Sequence, residues 1–189
     1  MKKTLMSVVM ASVLVSGSAF ADDAKKEFSN ATINFDGNVT ASLCQIADDS
    51  LDQTIHLGDA TVAQVSAEKA GKKSFNVRLV NCDTTVNNVD YIIQDANGKG
   101  SAAYLVNSAP TGFAAENVGV YIETHDGTPI DTDKTNTVQL VPGVEQYNIG
   151  LTAHMGPALD SANGNAALTP TAGQVSAKAI MLVKAYAKP

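Results

Sequence analysis

From residue 31 to residue 40 apolar and polar side chains alternate without a break. Ala31, Ile33, Phe35, Gly37 and Val39 fall on one face, and Thr32, Asn34, Asp36, Asn38 and Thr40 on the other. A period of two sends successive side chains to opposite faces, so this segment reads as a strand with one buried and one wet side. Gly37 stands in the apolar row with no side chain to pack, a position that marks close approach of another backbone. Residues 22–30, just before it, are polar and charged apart from Ala24 and Phe28 and read as a lead-in.

The same period recurs along the chain. Residues 74–81 set Phe75, Val77 and Leu79 against Asn76, Arg78 and Val80, and residues 147–155 set Tyr147, Ile149, Leu151, Ala153 and Met155 against Asn148, Gly150, Thr152 and His154. Shorter candidates are 54–57, 89–94, 118–123, 128–130 and 138–141, each ending at Gly, Asp, Asn or Pro signals; residues 174–186 close the chain. Segments 99–117 and 156–173 are rich in Gly, Ala, Ser, Pro and Asn and read as loops. A single weak helical pattern covers 60–70. Many short strands punctuated by turns predict an all-β sandwich.

The first 21 residues belong to a different category. Met1-Lys2-Lys3 is followed by an uncharged, largely apolar run to Gly17, and Ala19-Phe20-Ala21 is an A-x-A cleavage pattern before Asp22-Asp23. This is the form of a secretory signal peptide, too short and too abruptly ended for a membrane anchor. An exported chain meets an oxidising compartment, which favours pairing Cys44 with Cys82 in a disulfide worth about 4 kcal/mol of chain entropy; two free thiols are the alternative.

Composition narrows the function. The net charge is -6, and Arg78 is the sole arginine. A nucleic-acid partner calls for clustered Lys and Arg, so that class is excluded. His56, His125 and His154 share no metal-ligand spacing and read as ordinary surface residues; no cofactor is expected. Ser50, Ser66 and Ser74 lack a nucleophile context. Asp48, Asp49 and Asp52 lack EF-hand spacing and read as a solvated loop. No catalytic residue and no enzyme activity is expected.

The stretch ATINFDGNVTASLC, residues 31–44, resembles the N-terminal region of chaperone–usher fimbrial subunits, the type 1 and P-like pilins. Gly37 precedes Cys44 by seven residues, as a glycine precedes the first cysteine in that family. Leu79-Val80-Asn81-Cys82-Asp83, Gly119-Val120-Tyr121-Ile122, the alternation at 147–155 and Thr171-Ala172-Gly173 resemble further family segments in the same order. The resemblance spans nearly the whole chain after residue 21.

It implies an incomplete immunoglobulin-like sandwich lacking its last strand over 40–189, preceded by an extension, 22–39, that completes the sandwich of a neighbouring subunit. Ala31, Ile33, Phe35, Gly37 and Val39 are then the donor residues. Counting from Gly173, Val175, Ala177, Ala179, Met181 and Val183, with Ala185, form the groove-facing row of the last strand. Tyr186, the candidate for the family's penultimate aromatic, falls one residue off that row. Either a bulge resets the register near 180–184, or Tyr186 is not the equivalent residue. The implied partners are neighbouring pilus subunits in a homopolymer, a periplasmic chaperone and an outer-membrane usher. The implied destination is the cell surface, in a fimbria supporting adhesion. On pattern alone, residues 31–39 fit an ordinary first strand of one sandwich equally well. A minor or adhesive subunit that binds a receptor weakly through the loops at 99–117 and 156–173 is the alternative function. The chain leaves no room for the separate receptor domain of a tip adhesin.

Overall fold

The computed structural model describes residues 32–35, 44–98, 103–141 and 143–187, with the side chain of residue 187 left out. By its internal contacts the chain divides into residues 1–39 and residues 40–189. In the first unit, residues 32–35 are exposed and belong to no helix or strand.

Among the described residues the second unit is built of strands, one short α-helix and two 3-10 turns. Strands β1 (Gln45–Ile46), β2 (Lys73–Val80), β4 (Leu105–Val106), β5 (Val118–Thr124) and β7 (Tyr147–Pro157) form sheet A in the order β1-β2-β7-β5-β4. Strands β3 (Val86–Asp95), β6 (Thr135–Gln139) and β10 (Ala179–Ala187) form sheet B in the order β10-β3-β6, and β8 (Leu159–Asp160) with β9 (Ala166–Ala167) makes a small hairpin. Every ladder among them is antiparallel.

The alternation dictates the core. Val77 and Leu79 of β2, Ile149, Leu151 and Ala153 of β7, and Val120 and Ile122 of β5 come from sheet A. They pack with Val89, Tyr91 and Ile93 of β3 in sheet B. One apolar face from each of two sheets makes the sandwich, with the opposite faces outside. Asp95 stitches β3 to sheet A: its carboxylate accepts from the Val106 amide at 2.8 Å and from the Asn97 amide at 2.8 Å. The Cys44–Cys82 disulfide is formed, joining the start of β1 to the end of β2.

Helix α1 (Val62–Ser66) occupies the middle of the weak 60–70 pattern. Thr61 and Gln64 form a reciprocal capping box, with the Gln64 amide on Thr61 Oγ1 at 3.2 Å and the Thr61 amide on Gln64 Oε1 at 2.8 Å. The caps satisfy backbone groups that so short a helix cannot satisfy internally. Val65 and Ala70 join Ala115, Val118 and Met155 in a second, smaller core.

On the outer face of sheet A aromatic rings lie across glycine positions. A Cβ on Gly119 would stand 2.7 Å from Tyr104 Cγ, and one on Gly156 2.6 Å from Tyr121 Cε2. Tyr104 and Tyr121 thus cover these two glycines, with ring centroids 5.3 Å apart and planes tilted by 40°. Their hydroxyls anchor the approach to the β8–β9 hairpin: Tyr121 donates to the Pro157 carbonyl at 2.6 Å, and Tyr104 accepts from the Leu159 amide at 3.2 Å.

This cover corrects one expectation. His154 lies on the outer face of β7, as its period predicts, yet it is buried rather than an ordinary surface residue. Two segments expected to be loops also carry strands. Residues 99–117 include β4, and β7 runs on to Pro157 because Val118 of β5 pairs with that residue. Among Asp48, Asp49 and Asp52, the first two open a single 3-10 turn, and Asp49 pairs with Arg78 at 2.6 Å.

Candidate assembly edge

Among the described residues β10 pairs with β3 alone, so it forms one edge of sheet B. Its register runs Ala179↔Asp95 to Tyr186↔Asn88 without interruption, and the shift comes between Tyr186 and Ala187. The bulge weighed for 180–184 is therefore absent, and Tyr186 stays on the outer face, where the Lys184 ammonium lies 5.0 Å from its ring centroid.

The two faces of β10 are both apolar but differ in burial. Met181, Val183 and Ala185 turn inward, half-buried against the core. Ile180 and Leu182 turn outward and are 47% and 48% exposed. Ala179, expected in the inward row, is exposed.

Val175 and Ala177 belong to the row but not to the strand, because the ladder begins at Ala179 rather than near residue 174. They lie in a lead-in held by Asn107. The Asn107 amide donates to the Ala115 carbonyl at 2.8 Å and the Gln174 carbonyl at 2.9 Å, and its oxygen accepts from the Ser176 amide at 2.9 Å. The Ser108 amide donates to the Ser176 carbonyl at 2.7 Å. These bonds hold residues 174–176 beside 107–115 and turn Val175 and Ala177 toward the core, both half-buried. Sequence reasoning missed Asn107, which sits in a run of small residues with no period to single it out.

Sheet A has an edge of its own at β1, which is two residues long. Beyond it, side chains finish the β2 edge: the Arg78 amide donates to Ser50 Oγ at 3.1 Å, and Gln53 Nε2 donates to the Asn76 carbonyl at 2.9 Å. Ile46, Leu57 and Phe75 here are half-buried, as Val175, Ala177, Met181, Val183 and Ala185 are on β10 and its lead-in. Leu57 and Val175 pack on the same small core of Val65, Ala70, Ala115, Val118 and Met155. A closed sandwich buries such residues; here the apolar side chains along one edge of each sheet stop half-way.

Of the residues expected to donate, Ile33 and Phe35 are 70% and 90% exposed. Ala31, Gly37 and Val39 lie outside the described residues. No group of three or more His, Cys, Asp or Glu side chains suited to a metal occurs among the described residues.

The fimbrial protein family model matches residues 33–185. The chain belongs to the fimbrial protein family. Its sequence is 34% identical to fimbrial protein 987P of Escherichia coli, over 100% of this chain and 99% of that one. It is 30% identical to the type-1 fimbrial protein A chain of Escherichia coli K12, over 69% of this chain and 74% of the relative. In fold it is similar to the P pilus rod subunit PapA, with a TM-score of 0.57 and 20% identity over 77% of this chain and 100% of that one. It is similar also to a subunit of a chaperone–usher pilus structure, with a TM-score of 0.56 and 20% identity over 82% of this chain and 95% of that one. The sequence motifs that resemble chaperone–usher fimbrial subunits are thus matched by family, relatives and fold. The fimbrial subunit is a structural protein and not an enzyme. Its place is the fimbria at the cell surface. No helix among the described residues is long and apolar enough to cross a membrane.

Proposed function

We propose that this fimbrial subunit polymerises by donor-strand exchange, after delivery by a periplasmic chaperone to an outer-membrane usher, into the shaft of an adhesive surface fimbria. The observation that carries this reading is β10: an edge strand with one ladder and a half-buried inward row. Such an edge offers unpaired backbone groups beside unfilled apolar surface, which is what an added strand needs. The chain supplies a fitting strand in residues 31–39. Ala31, Ile33, Phe35 and Val39 of one subunit enter the edge of the next, each large side chain contributing about 1.5–3 kcal/mol when fully buried. Gly37 lets the two backbones approach. A slip of one residue would turn Thr32, Asn34, Asp36 and Asn38 inward, so the register is fixed. A head-to-tail contact that does not close on itself grows into a filament.

The test removes the donor. With residues 22–39 deleted, the subunit with its chaperone and usher is expected to form no polymer, seen by electron microscopy and by the loss of the subunit ladder on gels. Filaments of ordinary length would overturn the reading.

A further inference from the structure

One buried polar cluster stands apart from the assembly edge. His154 belongs to β7, flanked by β2 and β5 in sheet A, and is only 7% exposed. Its Nδ1 has no hydrogen-bond partner. A buried nitrogen left unpaired carries a desolvation penalty that no bond offsets. The nearest acidic oxygen is Glu123 Oε1 of β5, 3.9 Å away. That is too long for a hydrogen bond, and a small rotation of the carboxylate would make it one. The carboxylate is held elsewhere, because its Oε2 is ion-paired with Lys72.

The remaining groups around the imidazole do not compete for Nδ1. Tyr121 stacks on the ring at 5.5 Å between centroids, and its hydroxyl is committed to the Pro157 carbonyl. That hydroxyl keeps its proton, its pKa pushed up to about 12 by burial and then by Tyr104 and Glu68. Ser74 of β2 lies 3.5 Å from Thr152 and brings no charge. Glu68 and Lys72 approach from the crossing between α1 and β2, residues 67–72, and both act on the imidazole through space. Glu123 therefore lies between two basic side chains, Lys72, with which it is paired here, and His154, which becomes a cation only when its imidazole takes up a proton.

We propose that these three side chains form a proton-operated latch, in which a proton taken up at Nδ1 of His154 draws the Glu123 carboxylate off Lys72 and loosens the 67–72 crossing from sheet A. The proton comes from solvent, and no other reactant is needed. In the neutral state Lys72 and Glu123 fasten the crossing from outside, while Ala70 fastens it through the small core. In acid the imidazolium becomes the closer partner of Glu123 across β5 and β7, where Tyr121 pairs with His154 in the ladder. Lys72, half exposed already, turns to water at little cost. Burial holds the His154 midpoint below its usual value, against the pull of Glu123, so the latch opens on the acid side of 6.5.

The test uses assembled fimbriae of the full chain. Exchange of the histidine C2 hydrogen, followed by mass spectrometry across pH, reads the His154 midpoint directly. Amide exchange over 67–72, corrected for its intrinsic pH dependence, reads the crossing. The expected midpoint lies below that of a peptide histidine, and crossing exchange rises on acidification by up to about tenfold per pH unit, the slope of one linked proton. Lys72→Met is expected to raise the His154 midpoint and to leave the crossing fast at neutral pH. His154→Gln is expected to abolish the acid response of the crossing. Should His154→Gln fail to assemble, Glu123→Gln gives the second reading: a lower midpoint and a crossing no longer sensitive to pH. An unchanged midpoint in Lys72→Met, or an acid response that persists without His154, would overturn the proposal.

Discussion

At the scale of single residues, the outer face of sheet A tolerates no additional atoms under its rings. Gly119→Ala would drive a methyl into the Tyr104 ring, which is buried and held by its hydroxyl to Leu159. Overpacking of this kind costs about 1–3 kcal/mol, and urea unfolding of the folded subunit should show a loss in that range. Gly173→Ala should cost more, because its Cβ would stand 2.7 Å from the Ala114 carbonyl oxygen, and backbone cannot swing aside as a ring can. The bridge between Ala114 and Gln174 would part, and with it the anchor of the lead-in to β10. Titration belongs at this scale too. His154 is held below its ordinary value in the folded chain, chiefly by burial. The unfolded chain therefore binds that proton more readily, and the stability contributed by neutral His154 is complete above about 6.5 and drains away as pH falls through that value. Asp49, Asp83 and Asp126 are held below 3.8, by Arg78, Thr85 and Thr124 respectively. Their contributions are present above 3.8 and are lost only further down. Thermal unfolding at a series of pH values should thus show a first loss below about 6.5 that His154→Gln removes; a loss confined to the carboxylate range would contradict it.

At the scale of elements, strand alternation was legible and its surroundings were not. The runs at 74–81 and 147–155 appear as β2 and β7 because each turns one apolar row to the core; the opposite row stays largely outside on β2, whereas on β7 every residue from Leu151 to Pro157 is buried. His154 shows the limit of that signal: the period says which face a side chain takes, and nothing about the rings and crossing that cover the face. Strands β4, β8 and β9 were illegible, since a two-residue strand in a run of small residues has no period to read. On β10 Met181, Val183 and Ala185 turn inward, Ala179 of the expected row is exposed, and the strand starts at Ala179 rather than near residue 174. Asn107, far away in sequence, holds residues 174–176 with side-chain bonds where a ladder was expected. Apolar residues on both faces left the register of this strand open, and pairing with β3 decided it. The two faces now separate by experiment. Val183→Asp puts a carboxylate in the half-buried row and should abolish capture of a donor strand. Leu182→Asp puts the same group on the exposed face and should leave capture near its original level. Strand capture can be followed by the change in fluorescence anisotropy of a labelled peptide of residues 22–39. Equal loss in both variants would mean that the inward row is not the binding face.

At the scale of the whole molecule, two sheets and one disulfide make a sandwich whose apolar edges are incompletely buried. The subunit should accordingly gain stability from any strand that fills them. A ligand that binds only the folded state stabilises it by about 2.7 kcal/mol at a hundredfold excess over its Kd. On the function proposed above the ligand is the donor segment of another copy, so a peptide of residues 22–39 added to subunit lacking those residues should raise its melting temperature, and more so as the peptide concentration rises. Register supplies the control. A peptide of the same composition, with residue 31 exchanged with 32, 33 with 34, 35 with 36 and 37 with 38, carries Thr32, Asn34, Asp36 and Asn38 where the apolar residues belong. It has the same charge and length, and it can form the same backbone bonds. Main-chain pairing alone would make the two peptides equivalent. Burial of Ile33 and Phe35 makes them differ by the full transfer free energy of those side chains, on the order of several kcal/mol. The exchanged peptide should therefore leave the melting temperature where it is, and a shift equal to that of the natural peptide would show that the edge takes any strand rather than this one.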